Sequence, residues 1–257
     1  MSSHIVHAAA TIETPGTHPT ATFLGLTINT DTVLTTVIAA VLVIGLGLIV
    51  RRSVTSGVPR GPQLFFETVF KWAQDQVREN IGLEVAPYVV PLAFTLFIFI
   101  LICNWISVLP VQVGGKDLAP PPTADVNLTY ALTVVVILWV HVAGFRANGF
   151  GGYLGHIAKG PGDAPFLAPI NVIIEVLANP LALALRLFGN IFAEDLVILI
   201  LFSIIPFLVP LPMMFLGLIT ASLQAFIFVL LSTIYLGGAV ATEHEHNEHG
   251  EMAAGEV

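Results

Sequence analysis

The sequence predicts an all-α integral membrane protein with five membrane-spanning helices, the last two long and tilted, plus one amphipathic surface helix. Three observations carry this. Of 257 residues, 56% are hydrophobic and only 10% charged, and the mean hydropathy is +0.89. The apolar residues run continuously instead of alternating, which means helices and not a barrel. The basic residues Arg51, Arg52, Arg146 and Lys159 fall at every second junction between runs, as the positive-inside rule requires.

Residues 1–30 are polar, Thr-rich and poor in Lys and Arg, and read as an extracytoplasmic tail without a cleaved signal peptide. The membrane domain extends over 31–242. Its first span, about 33–50, ends on Arg51 and Arg52, so that end is cytoplasmic and the N-terminus lies outside. From Pro62, a good first helical residue, Phe65, Phe66, Val69, Phe70, Ala73 and Val77 recur at helical spacing opposite Glu67, Lys71, Gln74, Asp75 and Arg78. This is the surface helix, about 62–80, lying on the membrane or against partner subunits.

The second span, about 88–109, carries Asn104, an interhelical hydrogen-bonding group, and Cys103, which has no second cysteine to pair with. The loop that follows holds three consecutive prolines and leads to the third span, about 128–145. Asp125 and Asn127 can each cap that helix or stand at the mouth of an aqueous path. His141 lies deep in it, as a neutral packed group or a channel-lining one. The Gly-rich cytoplasmic loop beyond it lacks the strand and the Lys-Ser/Thr of a phosphate loop.

The fourth span, about 166–205, is the informative one. It carries Glu175, Arg186, Asn190, Glu194 and Asp195 in a tract long enough to cross a hydrocarbon core that needs about 20 residues. An arginine at mid-membrane costs roughly 2.5–3.5 kcal/mol, so it calls for a partner, a pathway or an ion. At about 100° per residue, Ala182, Arg186, Gly189 and Ala193 lie within roughly 60° of one another, a stripe of small side chains that lets another helix approach closely. Asp195 points to nearly the opposite face, so it forms no simple ion pair with Arg186. Glu175 lies nearer the cytoplasm and Glu194 and Asp195 nearer the outside, and Asn179-Pro180 marks a kink. After the prolines of 206–212 the last span, about 213–240, sets Gly217, Ala221 and Gln224 on one face. The acidic, His-rich tail 243–257 is cytoplasmic, and no metal or other cofactor site is expected.

LALALRLFGNIFAEDL, followed after a Pro-rich turn by LQAFIFVLLSTIYL, resembles subunit a of the F-type ATP synthases, of bacterial or plastid type. LFIFILICNWISVLP and TADVNLTYAL are similar to its earlier helices. The resemblance implies a stator subunit of the Fo proton channel, with two offset half-channels, in an energy-coupling membrane such as a bacterial plasma membrane. It implies as partners the c-subunit ring, b-type peripheral stalk subunits and the remaining F1Fo complex, with no nucleic acid. Arg186 corresponds to the arginine that faces the ring; Asn190, Asp195 and Gln224 match polar pathway positions, and Glu194 and Glu175 add acids on either side. Ala182, Gly189, Ala193, Gly217 and Ala221 are the small residues expected to face the ring, Gly217 standing where some relatives have a channel histidine. No nucleotide-binding motif is present, so the chain is expected to translocate protons without catalysing. The rivals are a secondary transporter with an anion site at Arg186, against which the absence of an internal repeat argues, and a structural scaffold.

Overall fold

A computed structural model describes residues 19–23, 25–55, 57–81, 88–108, 112–113, 116–117, 121–159, 167–204 and 210–240. The His-rich tail and the first 18 residues lie outside them. Among the described residues seven helices dominate: α1 (Thr30–Ser53), α2 (Pro62–Asn80), α3 (Val89–Val108), α4 (Val126–Lys159), α5 (Ala168–Ile173), α6 (Asn179–Ile204) and α7 (Pro210–Val240). Among the same residues five helical stretches are long and apolar enough to cross a membrane: 30–52, 89–106, 126–158, 168–194 and 215–240. The protein is therefore an all-α integral membrane protein.

The chain divides into two compact units. One comprises 1–47, 98–129 and 187–225, the other 48–97, 130–186 and 226–257. In the first, part of the expected N-terminal tail is a hairpin, β1 (Thr20–Phe23) against β2 (Leu26–Asn29), paired antiparallel from Thr20↔Asn29 to Phe23↔Leu26. Threonines and Ile28 favour the strands, and Gly25 supplies the positive φ of 81° that the tight turn needs. A second small hairpin, β3 (Gln112–Val113) with β4 (Lys116–Asp117), lies in the Pro-rich loop. Ala39, Cys103 and Ile106 form an apolar core cluster of this unit, so Cys103 is a buried packing residue.

In the second unit α2 is amphipathic and uses its aromatic face for packing. Phe66 and Phe70 meet Phe94, with ring centroids 6.0 and 5.5 Å apart. Trp72 lies 5.2 Å from Phe97 and stacks on Phe226 at 4.7 Å. These contacts join α2 to α3 and α7, each aromatic pair adding about 0.5–1.5 kcal/mol beyond its burial.

α4 departs from the expected short span followed by a loop. Helical structure continues to Lys159 but reverses at Gly149, whose φ of 70° and ψ of 171° are not helical. His141 and Tyr153 would be about 18 Å apart on a straight helix, yet they are hydrogen-bonded at 2.8 Å. Glycine is what permits this backbone. Phe145 stacks on Phe150 at 5.3 Å across the bend, and the Tyr153 ring fills the space left by Gly144. The Gly-rich segment thus forms the return arm of a helical hairpin.

Where the sequence suggests a kink, near Asn179-Pro180, the helical backbone changes pitch. α5 passes into a π-helical turn, Ile174–Ala178, and α6 begins at Asn179 with no break in helical backbone. Pro180 has no amide hydrogen to continue the regular ladder, and the wider turn before it accommodates that loss.

Any Cβ placed at Gly144 overlaps the Tyr153 ring. Gly144→Ala is expected to lower stability by about 1–3 kcal/mol, measured as a reduced unfolding midpoint in detergent. Gly151→Ala, where a Cβ meets nothing within 4 Å, should leave the midpoint within error.

Candidate functional site

The polar residues of the first unit are gathered into three hydrogen-bonded groups. The first caps α4. The Asp125 Oδ1 accepts from the Asn127 backbone N–H at 2.8 Å and its Nδ2 at 3.0 Å, the geometry of an N-cap. The other carboxylate oxygen accepts from Asn29 Nδ2 at 2.6 Å and Thr32 Oγ1 at 2.7 Å. This carboxylate thereby fastens the end of β2 and the start of α1 to α4. Asp125 thus acts as the cap, with Asn127 as its donor. Asp125 is buried, and four donors converge on it, so its burial is compensated.

The second group centres on Asn104, which is fully buried in α3. Its Nδ2 donates to the Ala221 carbonyl of α7 at 3.2 Å, and its Oδ1 accepts from Thr123 at 2.7 Å. Beside it, Trp105 Nε1 donates to Ser222 Oγ at 3.2 Å.

The third group lies between α6 and α7 and has two rungs. Asn190 Nδ2 donates to Gln224 Oε1 at 2.9 Å. One turn further along α6, Glu194 Oε2 accepts from Thr220 Oγ1 at 3.3 Å. Residues 190 and 194 on α6, and 224 and 220 on α7, are each separated by about 6 Å of helix rise, so the rungs match. Gln224 is buried, and its Nε2 has no hydrogen-bond partner among the described residues. A buried open donor costs about 1–3 kcal/mol unless something completes it. Asp195 belongs to α6; its side chain lies outside the described residues.

Gly217 and Ala221, expected among the ring-facing small residues, are buried against other parts of this chain. The Glu194 carboxylate occupies the space that any Cβ at Gly217 would need. Ala221 packs where its carbonyl receives Asn104. Their small size serves close approach between helices of the chain itself. On α6 the stripe does open outward: Ala182 and Ala193 are exposed and Gly189 is half-exposed.

In the second unit, Arg186 is exposed on α6, and no hydrogen bond or ion pair engages it among the described residues. Its neighbours Leu181 and Leu185 are exposed apolar side chains. Glu175 sits in the π-helical turn, where its Oε2 accepts from Asn179 Nδ2 at 2.9 Å. His141 is half-buried, with Nδ1 on the Tyr153 hydroxyl.

Sequence reasoning missed Thr220, Thr123 and Tyr153. Thr220 was within reach, since it stands one turn before Gln224 on the same face. Thr123 and Tyr153 come into place through a loop and a chain reversal, which periodicity does not register.

Fold and site together define a multi-pass helical membrane protein with polar groups paired between its helices and an exposed arginine, Arg186, that makes no hydrogen bond or ion pair among the described residues. The profile of the family described as ATP synthase A chain matches residues 33–237. The chain is 45% identical over 247 residues to a protein of Acidothermus cellulolyticus named ATP synthase subunit a, covering 93% of this chain and 89% of that one. It is 43% identical over 248 residues to the protein of that name from Mycobacterium marinum, covering 93% and 98%. A Geobacter sulfurreducens relative of the same name is 41% identical over 190 residues, covering 73% and 78%. The chain belongs to the ATP synthase A chain family.

Gly217→Ala should displace the Glu194 carboxylate and destabilise by about 1–3 kcal/mol. Adding Glu194→Gly should restore most of that loss, because the obstructing group is gone. A double-mutant cycle of unfolding midpoints checks the coupling; additive effects would mean that the two residues do not meet.

Proposed function

We propose that this chain is the stator half of the membrane proton path of a rotary ATP synthase, with Arg186 facing the ring of c subunits. The observation that carries the reading is the state of Arg186. It stands exposed beside Ala182, Gly189 and Ala193 with no hydrogen bond or ion pair among the described residues, whereas Asn190 and Glu194 are each hydrogen-bonded to α7. A cation left open in hydrocarbon costs several kcal/mol, and a carboxylate brought past it on an approaching helix removes that cost.

Protons do not cross hydrocarbon unaided. Two paths, each open to one side, must therefore meet the ring carboxylate at mid-membrane. The basic residues Arg51, Arg52, Arg146 and Lys159 orient the chain with its N-terminus outside and its C-terminus in the cytoplasm of a bacterial cell. On that orientation Asn190, Glu194, Asp195 and Gln224 form the outer path. The open Nε2 of Gln224 is a donor for a water or a carboxyl entering there. Glu175 serves the inner path.

A guanidinium stays charged under practically any condition. It favours the deprotonated ring carboxylate as this passes and disfavours a proton at the same place, so the two paths do not short-circuit. Each charge that crosses is worth roughly 2.3 kcal/mol per 100 mV, which is the work available to turn the ring. ATP chemistry belongs to other subunits of the complex, and b-type subunits of the peripheral stalk hold this chain against rotation.

Arg186→Ala is expected to abolish ATP-driven proton pumping in vesicles holding the complete complex, while immunoblots show unchanged assembly. Arg186→Lys should also pump poorly, because an ammonium can give up its proton where the guanidinium does not. Normal pumping by assembled Arg186→Ala complexes would overturn the reading.

A further inference from the structure

The segment that joins α1 to α2 takes no part in the proton path, yet its shape is fixed. Arg51 and Arg52 close the first apolar span, in the last turn of α1, and Arg60 stands just ahead of α2. From 51 to 66 there is no acidic residue. All three arginines are exposed, and none makes a hydrogen bond or ion pair among the described residues. One buried side chain closes the loop between them. Gln63, in the first turn of α2, donates from Nε2 to the Thr55 carbonyl at 3.1 Å and accepts at Oε1 from the Thr55 backbone N–H at 3.3 Å. Its Nε2 also donates to Glu67 Oε1 at 2.7 Å, which engages the nearest carboxylate. Gly61, with a φ of 59°, turns the chain into α2. Three residues span at most about 10 Å, so Arg52 and Arg60, each three positions from the clamp, leave the chain close to it. The same loop holds apolar side chains outward: Val58 is 80% exposed, and Val54, Leu64 and Phe65 are exposed as well.

Membrane topology requires only that basic residues flank a span. It asks nothing of the loop's shape, and it does not set valines outward between the arginines. A soluble anion would match the charges and leave the valines in water. The interfacial layer of a bilayer matches both. Arg51 and Arg52 end an apolar helix, so their guanidinium groups reach the level of the lipid headgroups. Apolar side chains beside them can enter the acyl boundary. A guanidinium pairs with a phosphate through two parallel N–H···O bonds. With three cations and no free acid in the loop, the fitting headgroup carries net negative charge, whereas a zwitterionic one would bring its own cation to the arginines.

We propose that Arg51, Arg52 and Arg60 form a site for the headgroup phosphate of an anionic phospholipid, with Val54 and Val58 entering the hydrocarbon beside it. The clamp of Gln63 on Thr55 shapes the loop before the lipid arrives, so little conformational freedom is lost on binding. Once bound, the lipid ties the start of α2 to the bilayer surface. That helix packs its aromatic residues on α3 and α7, so the site anchors the packed helices of its unit at the level where α1 leaves the membrane.

The full chain, purified in neutral detergent, is titrated with a phosphatidylglycerol and separately with the phosphatidylcholine of the same acyl chains, and bound lipid is counted by native mass spectrometry. One phosphatidylglycerol is expected to bind about tenfold or more tighter than phosphatidylcholine. Arg51→Gln, Arg52→Gln and Arg60→Gln should each weaken it about fivefold, the attraction of one basic side chain to an anionic lipid surface. Gln63→Leu keeps every charge but opens the clamp, and should weaken it as well. Arg78→Gln, further along α2 and 3.9 Å from Asp75, should leave binding unchanged, with unfolding midpoints confirming that the arginine variants are folded. Equal binding of the two lipids would overturn the site. So would an effect of Arg78→Gln as large as that of Arg60→Gln, since overall charge alone would then be at work. Displacement of the lipid by inorganic phosphate would overturn it in favour of a soluble anion. Phenylglyoxal modification tests a protein occupant: arginines left unprotected by phosphatidylglycerol but shielded in the complete complex would assign the patch to a partner subunit and overturn the lipid site.

Discussion

Hydrocarbon offers no hydrogen bonds, so a polar group that a helix carries into the membrane must find its partner within the protein. That constraint organises this chain. Asn104 is satisfied by the Ala221 carbonyl and Thr123, Asn190 by Gln224, Glu194 by Thr220 and Glu175 by Asn179. Asp125 answers the same demand at a helix end, where two donors of its own segment and two from the N-terminal segment share one carboxylate. Against this background Arg186 stands out, exposed and without a hydrogen bond or ion pair among the described residues.

Glycine does two different things in the structure. At Gly149 it provides a left-handed backbone that turns α4 back on itself. At Gly144 and Gly217 it provides room, for the Tyr153 ring in one case and the Glu194 carboxylate in the other. Close approach of backbones is the usual explanation of small residues in membrane helices. Here the vacancy is also used to seat a large or polar side chain from elsewhere, which places that side chain more narrowly than apolar packing would.

The α6–α7 pair shows how regular helices bring polar groups into register. Four residues advance each helix by about 6 Å, so two antiparallel helices present their rungs in step, Asn190 with Gln224 and Glu194 with Thr220. The stripe of Ala182, Gly189 and Ala193 opens outward along the same helix. One helix can therefore offer a surface to a partner and hold polar groups against its neighbour, because 3.6 residues per turn sort the two sets to different faces.

Composition and continuous apolar runs were enough to establish the helical membrane class, because hydrocarbon admits so few backbone solutions. The placement of Arg186, Asn190 and Glu194 on their helix also followed from the sequence, since helical periodicity is local. What the sequence left undecided depends on residues distant in the chain. That Asp125 also holds Asn29 and Thr32, that Asn104 meets the Ala221 carbonyl, and that His141 has Tyr153 as a partner depend on contacts with residues 12 to 117 positions away. The Gly-rich segment after Arg146 read as a loop because glycine weakens helical propensity. Tertiary packing of Tyr153 and Phe150 onto Gly144 and Phe145 made it a helix instead. Local periodicity determines which residues share a face; only the meeting of distant segments decides what each face meets.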